Sequence, residues 1–322
     1  MFRSVLVPLD GSPFAEHALP TATAIAKASR AKLQLVKVHE PPPPPLAADD
    51  AGLFLEADLQ VRRDERVYLR QQASRARAEA GLRVVTEVLD DPVGEAIVEY
   101  AQRSGTDLIV MTTHGRGPLS RLWLGSVADQ VIRRATVPVL LIRPREGAPD
   151  PVPEPGQHVL VPLDGSSLGE AALEPAAELA ERLELALTLV QVVLPPPLIG
   201  DAMQVYPPPD ADERIRLRVR EAEDYLEDLA DQLRDRGLVV ETVAVVHRSV
   251  VDALLDLTRV GDFALVAIST QGHGGIQRFL LGGVADKLVR SAELPVLVVR
   301  PTGRTKTRRA PAVAGARSRI TR

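Results

Sequence analysis

Cysteine is absent from the 322 residues, so neither a disulfide nor a thiolate-held metal contributes to the fold. Aromatic side chains make up only 3% of the chain, too few for the stacking surfaces that single-stranded nucleic acid requires. No apolar run is long enough to span a bilayer, and the chain enters at once into Val5-Leu6-Val7 without a signal-type apolar core. The expectation is a cytoplasmic protein with no membrane partner. Acidic residues are missing from 302–322, which carries Arg304, Lys306, Arg308, Arg309, Arg317, Arg319 and Arg322. With a formal net charge of −4 overall, the rest of the chain is acidic, which disfavours a polyanion-binding body and makes nucleic acid an unexpected partner. The basic tail has few large apolar residues and reads as disordered.

What is present is ordinary for a globular protein, with 45% apolar and 25% charged residues. The length suggests two domains, and a repeat agrees. The stretch TTHGRGPLSRLWLGSVADQVIRRATVPVLLIR, ending at Arg143, returns as STQGHGGIQRFLLGGVADKLVRSAELPVLVVR, ending at Arg300. Gly115 to Gly272 and Pro138 to Pro295 share one offset of 157 residues. In both copies a glycine loop leads into a helix start, which leaves backbone N–H groups aimed one way at the positive end of a helix dipole. Such a site suits an anion, most often phosphate.

Along the chain, Val5-Leu6-Val7 stops at Pro8-Leu9-Asp10-Gly11-Ser12 and reads as a buried strand followed by a turn. Ser12 is placed to cap a helix with Pro13 at its first position, and Ala15, Ala18, Leu19, Ala22, Ile25 and Ala26 continue it at helical spacing. Leu33–His39 is the next strand, so the opening is a right-handed βαβ unit. The run Pro41–Pro45 reads as a stiff surface spacer or, alternatively, as a docking segment for a proline-reading domain. A long helix over 55–80, a strand over 82–89, a helix over 92–103, the strand 108–111, a helix over 126–135 and a strand over 138–143 complete the first half. The order β-α-β-α-β-α-β-α-β predicts an α/β fold, an open parallel sheet with helices on both faces. The organisation is a domain at 1–144, a proline-rich linker at 145–156, a second domain at 157–301 and the tail at 302–322.

Ligands of such sheets bind at the carboxyl ends of the strands, where strand order reverses. Asp10, the end of the second strand at Val38, and the loop of Gly115 all fall at carboxyl ends. Asp10 and Asp164 read either as turn caps or as ligand contacts, and Gly115 and Gly125 as loop punctuation or phosphate contacts. Ser126 reads as the cap of the following helix, a phosphate donor, or both. Thr112 is harmless where ordinary dihedrals suffice and unfavourable where a positive φ is required. His114 and His273 have no partner at ligand spacing, and no protein-held metal is expected.

With these residues in view, the chain resembles the universal stress protein family in its tandem form, over roughly 1–144 and 157–301. The family motif is Gly-x-x-Gly, nine residues, then Gly-Ser or Gly-Thr. The first half reads Thr112-x-x-Gly115, nine residues, Gly125-Ser126; the second reads Ser269-x-x-Gly272, nine residues, Gly282-Gly283. The leading glycine is replaced in both, and the terminal hydroxyl is lost in the second. Both halves also carry Pro-x-Asp-Gly-Ser after the first strand. The resemblance implies two Rossmann-like domains that bind ATP, with Mg2+ accompanying the phosphates, in a stress-sensing or signalling module. It implies that Asp10 and the backbone near Val38 hold adenine and ribose, and that Gly115, Arg116, Gly125, Ser126 and Val127 line the phosphate path. The matching positions in the second copy are Asp164, Val192, Gly272, His273, Gly282, Gly283 and Val284.

No general base or nucleophile accompanies the loop, so at most slow hydrolysis is expected. The stretch is not a P-loop, because no Gly-Lys-Ser/Thr follows the glycines. Two alternatives stay open: an enzyme that cleaves ATP between its α- and β-phosphates, and an interaction scaffold with vestigial sites. The continuously apolar Val139–Ile142 and Val296–Val299 are exposed edges unless covered. The resemblance implies that they pair the two halves as an internal pseudo-dimer; association of two chains into a homodimer is a further possibility.

Overall fold

The computed structural model describes residues 2–42, 51–90, 92–113, 124–144, 150, 152–200, 205–206, 208–271 and 282–301. The spacer prolines 43–45 and the tail 302–322 lie outside the described residues. In the first half, β1 (Ser4–Pro8), β2 (Lys32–Val38), β3 (Val84–Leu89), β4 (Leu108–Thr112) and β5 (Val139–Ile142) alternate with helices. These are α1 (Pro13–Glu16), α2 (Ala18–Ser29), α3 (Ala51–Ala80), α4 (Val93–Arg103) and α5 (Ser126–Arg134). The second half repeats the scheme with β6 (His158–Pro162), α6 (Leu173–Leu183), β7 (Ala186–Val193), α7 (Ala211–Arg234), β10 (Val240–Val246), α8 (Val250–Val260), β11 (Phe263–Ser269), α9 (Gly283–Ser291) and β12 (Val296–Val299). It adds a small antiparallel hairpin of β8 (Ile199–Gly200) and β9 (Val205–Tyr206) inside the proline-rich loop that follows β7.

The large strands form one ten-stranded sheet in the order β10-β7-β6-β11-β12-β5-β4-β1-β2-β3. Within each half the neighbours are parallel. Successive side chains of a strand point to opposite faces. Accordingly Val5, Val7, Leu33 and Leu35 join one apolar layer with residues of α2 and α3, while Leu6, Val36 and Ile109 join the other with residues of α4 and α5. Burial on both faces is why these strands read as continuous apolar runs rather than alternating ones.

The first crossover is not the single helix that its periodicity predicts. It breaks at His17, and Pro20 explains the break. A proline has no N–H and its ring collides with the carbonyl four residues back, here that of Glu16. Pro20 is therefore accommodated in the first turn of α2, and α1 stops at Glu16. Pro175 does the same in the second half, where a 3-10 turn at Gly169–Ala172 precedes α6. The predicted start is otherwise present: Ser12 Oγ accepts from the Ala15 N–H at 3.2 Å, with Pro13 opening the helix.

At the centre of the sheet β5 and β12 lie antiparallel, with Leu141 opposite Val296, Leu140 opposite Leu297 and Val139 opposite Val298. Two arginines cross this seam reciprocally. Arg143 donates to the carbonyls of Ala292, at 3.2 Å, and Arg290 at the end of α9. Arg300 donates to the carbonyl of Arg133 at the end of α5, at 2.8 Å. Cations suit helix C-termini, whose last carbonyls lack intrahelical partners. Burial pulls the Arg143 guanidinium below its ordinary value, so its removal leaves helix-end carbonyls without their donor. Arg143→Ala is expected to lower stability by about 1–3 kcal/mol in urea denaturation. The exposed Val152→Ala should change it by less than about 0.5 kcal/mol.

Candidate functional site

In the first half the sheet order is β3-β2-β1-β4-β5, so successive crossovers leave β1 and β4 in opposite directions. In open parallel sheets the ligand crevice lies at this reversal, at the carboxyl ends of the strands. The loop from β1 is the Asp10 turn. Asp10 Oδ1 accepts from the Ser12 N–H at 2.8 Å, and Gly11 takes a φ of +85°, which suits glycine. Asp10 is half-buried and Ser12 buried.

The loop from β4 begins at Thr112 and Thr113 and returns at Gly125. The Gly125 N–H donates to the Thr113 carbonyl at 2.8 Å, and the Thr113 N–H donates to the Ile142 carbonyl at 2.9 Å. Both ends of the loop are thus fastened at one point, and α5 starts directly over the end of β4. Thr112 sits in β4 opposite Ile142. Among the described residues only Arg30 and Glu184 combine a side chain with a positive φ. Threonine therefore occupies ordinary extended backbone there, where a β-branched residue fits well.

The cap of α5 is Gly125, with φ −62° and ψ 150°, and no side chain bonds to the first turn. This corrects the reading of Ser126 as the cap: Ser126 is the first helical residue, and its side chain is exposed. A glycine cap supplies no oxygen to the first-turn amides, so those donors are left to water or to a ligand. Val38 ends β2 on the α4/α5 face, in one apolar cluster with Leu124, and Val127 packs against that cluster.

The second half repeats the geometry. Asp164 Oδ1 accepts from the Ser166 N–H at 3.0 Å and from Ser166 Oγ at 2.6 Å, and Gly165 takes a φ of +78°. Ser269 ends β11 opposite Val299. The Gly282 N–H donates to the Thr270 carbonyl at 2.7 Å. Gly282 caps α9 and Gly283 is its first residue. A Cβ on Gly282 would stand 3.2 Å from the Thr270 carbonyl oxygen, whereas one on Gly283 would meet nothing within 4 Å. Val192 and Val284 pack against the same apolar cluster on the α8/α9 face. Gly115, Arg116, Gly272 and His273, together with His114, Gly117 and Trp123, lie outside the described residues.

Beside the first crevice stands a polar cluster that the motifs do not reveal. Lys37, His39 and Glu65 are 7%, 7% and 5% exposed. Lys37 Nζ donates to the Asp10 carbonyl at 3.1 Å and lies 3.5 Å from Glu65 Oε1. His39 has Glu65 Oε2 at 2.8 Å from Nδ1 and Asp58 Oδ1 at 2.8 Å from Nε2. The hydrogen bond from His39, with a second from Arg62, holds the Asp58 carboxyl below its ordinary value. Arg62 in turn reaches Asp90 at 2.7 Å. The available signal was Lys37 itself, the one charged residue between Leu33 and Val38 and on the same face as the apolar Leu33 and Leu35 and as His39.

A family model described as the universal stress protein family matches residues 1–143 and again 156–300. The chain belongs to the universal stress protein family. A universal stress protein of Mycolicibacterium smegmatis is 26% identical over 307 residues, covering 92% of this chain and 97% of its own length. One from Thermus aquaticus is 37% identical over 146 residues, 44% of this chain and 100% of that protein. Among solved structures, a universal stress protein of Archaeoglobus fulgidus superposes with a TM-score of 0.65 at 18% identity, covering 93% of this chain and 99% of that one. That likeness concerns the fold.

In this universal stress protein the two glycines at the start of α9 have opposite steric constraints. Gly282→Ala presses a methyl on a backbone carbonyl and should destabilise by about 1–2 kcal/mol. Gly283→Ala enters open space at a helical position and should stabilise by up to about 1 kcal/mol. Chemical denaturation of the two variants checks the opposite signs.

Proposed function

We propose that this universal stress protein binds ATP at the crevice between β1 and β4, and more weakly at the matching crevice between β6 and β11, as a stress-sensing or signalling module. The observation that carries this reading is an uncapped helix start, fastened by a glycine N–H to the end of the strand where sheet order reverses, repeated in both halves. Unpaired amides and the positive end of a helix dipole at that place suit the phosphates. Gly125, Ser126 and Val127 would face them, with Gly115 and Arg116 contributed by the intervening loop. Asp10 and the backbone at Val38 would hold ribose and adenine. Asp164, Val192, Ser269, Gly272, His273, Gly282, Gly283 and Val284 are the counterparts.

Mg2+ would travel with the phosphates, since it keeps several waters and needs few protein oxygens. The protein supplies binding and orientation, with hydrolysis slow at most. The units that carry the two sites are 1–144 and 157–301, joined by the linker at 145–156. The β5–β12 ladder is read as the lasting interface between them in solution, supported by its buried leucines and crossed arginines.

At the first residue of the loop-following helix the halves differ by one hydroxyl, Ser126 against Gly283. A hydrogen bond to a charged group contributes about 1.5–3 kcal/mol, so the second crevice should bind ATP at least about tenfold more weakly. Gly283→Ser places a side chain where a Cβ has room and should recover most of that difference. Ser126→Gly should impose the same loss on the first crevice. Calorimetric titration with ATP and Mg2+ measures both, and the fluorescence of Trp123, the single tryptophan, reports on the first. No binding at millimolar ATP would instead favour an interaction scaffold.

A further inference from the structure

The two Asp-Gly-Ser turns are held differently. Strand register equates Val36 with Val190, since each faces the proline that ends the first strand of its half. Lys37 and His39 therefore correspond to Gln191 and Val193. Tyr68 donates to Glu16 at 3.0 Å and Tyr225 to Glu170 at 3.1 Å, which equates α3 with α7 and places Ala222 at the position of Glu65 and Ile215 at that of Asp58. The four polar groups of the first half thus become glutamine, valine, alanine and isoleucine in the second. Consistent with this, Asp10 is half-buried and Asp164 exposed, Ser12 is buried and Ser166 half-buried. Gln191 Oε1 is buried without a hydrogen-bond partner.

We propose that the chain Lys37–Glu65–His39–Asp58, buried but for its last member, is a positioning device that fixes the Asp10 turn and makes the first crevice the tighter adenine-nucleotide site. This rests on the ATP-binding reading above and goes beyond the hydroxyl difference. Lys37 reaches across from the α3 side of the sheet to hold the Asp10 carbonyl, and so sets the turn from behind without touching the ligand. Glu65 holds the ammonium in place, and His39 holds Glu65. Both His39 hydrogen bonds are made only when the ring carries both protons, because a carboxylate oxygen faces each nitrogen. In that state Lys37 and His39 balance Glu65 and Asp58, while the more exposed Arg62 and Asp90 pair with each other at the rim. Balance matters in a buried site, where one charge left alone is strongly destabilising and a complete set removed together is nearly neutral. A turn already in its bound geometry loses less ordering entropy when a ligand arrives.

The test exchanges the residues between halves in the full-length chain and titrates with ATP and Mg2+. The variant Lys37→Gln, His39→Val, Asp58→Ile, Glu65→Ala removes both cations with both carboxylates and gives the first half the residues of the second at all four positions. It should bind about tenfold more weakly at the first crevice, read by Trp123 fluorescence, with its melting temperature nearly unchanged. The reciprocal variant Gln191→Lys, Val193→His, Ile215→Asp, Ala222→Glu should tighten the second crevice by a similar factor, read by calorimetry. This second arm decides the matter if the first variant does not fold. If the unaltered chain binds ATP but the first variant keeps its affinity within about twofold, or the reciprocal variant gains nothing, the positioning role is overturned and the ATP reading stands. If the unaltered chain binds no ATP, both fall together.

Discussion

The antiparallel ladder between β5 and β12 is the contact on which the rest of the molecule depends. Each half by itself would end in a strand that is apolar on both faces and unpaired along one edge, a template for aggregation. Joining the two edges removes both and continues one sheet through the whole protein. It also sets polarity. Strands are parallel within a half and reversed across the seam, so the carboxyl ends of the two halves point to opposite ends of the sheet. The two crevices accordingly open on opposite sides, each served by its own helices. α5 begins at the first crevice and has the Arg133 carbonyl at its end held by Arg300 of the other half; α9 begins at the second and ends under Arg143. Each helix that starts at a crevice is therefore anchored by its neighbour.

Glycine at the helix start serves close approach, not an unusual backbone angle. Gly125 and Gly282 have nearly the same torsions, with φ −62° in both, which any residue can adopt. What crowds a side chain at Gly282 is the carbonyl of Thr270, 3.2 Å from where a Cβ would stand. The same closeness lets the glycine N–H reach that carbonyl and hold the loop shut at its base. A serine or aspartate in this place would satisfy the first-turn amides itself and so withdraw them from any ligand. The absence of a cap and the tight join to the strand are one feature.

The two halves keep this frame and differ in what stands behind it. The first turn is backed by a hydrogen-bonded cluster of charged side chains that spans β2, α3 and the exit of β3; the second is backed by apolar residues and a glutamine. Both solutions are compatible with a buried position, since a mutually paired set of charges and an uncharged set each avoid an orphaned charge. They differ in how firmly the turn is held, which bears on the site and leaves the fold unchanged.

Much of this was legible in the chain alone. The strands, most helix positions, the Ser12-Pro13 start and the duplicated loop followed from period, turn chemistry and repeated spacing, which are properties of neighbouring residues. Local signals were present at Pro20, which splits the first helix, and at Lys37, a charge on the face of β2 that otherwise presents Leu33 and Leu35. The tertiary structure alone decided the rest: that Lys37 meets Glu65 and the Asp10 carbonyl, that Arg143 reaches α9 some 147 residues away, and which residue of β5 faces which of β12. Torsional preference and periodicity act within a few residues. The partner of a buried charge depends on which element closes over it, and that is set only when distant segments pack.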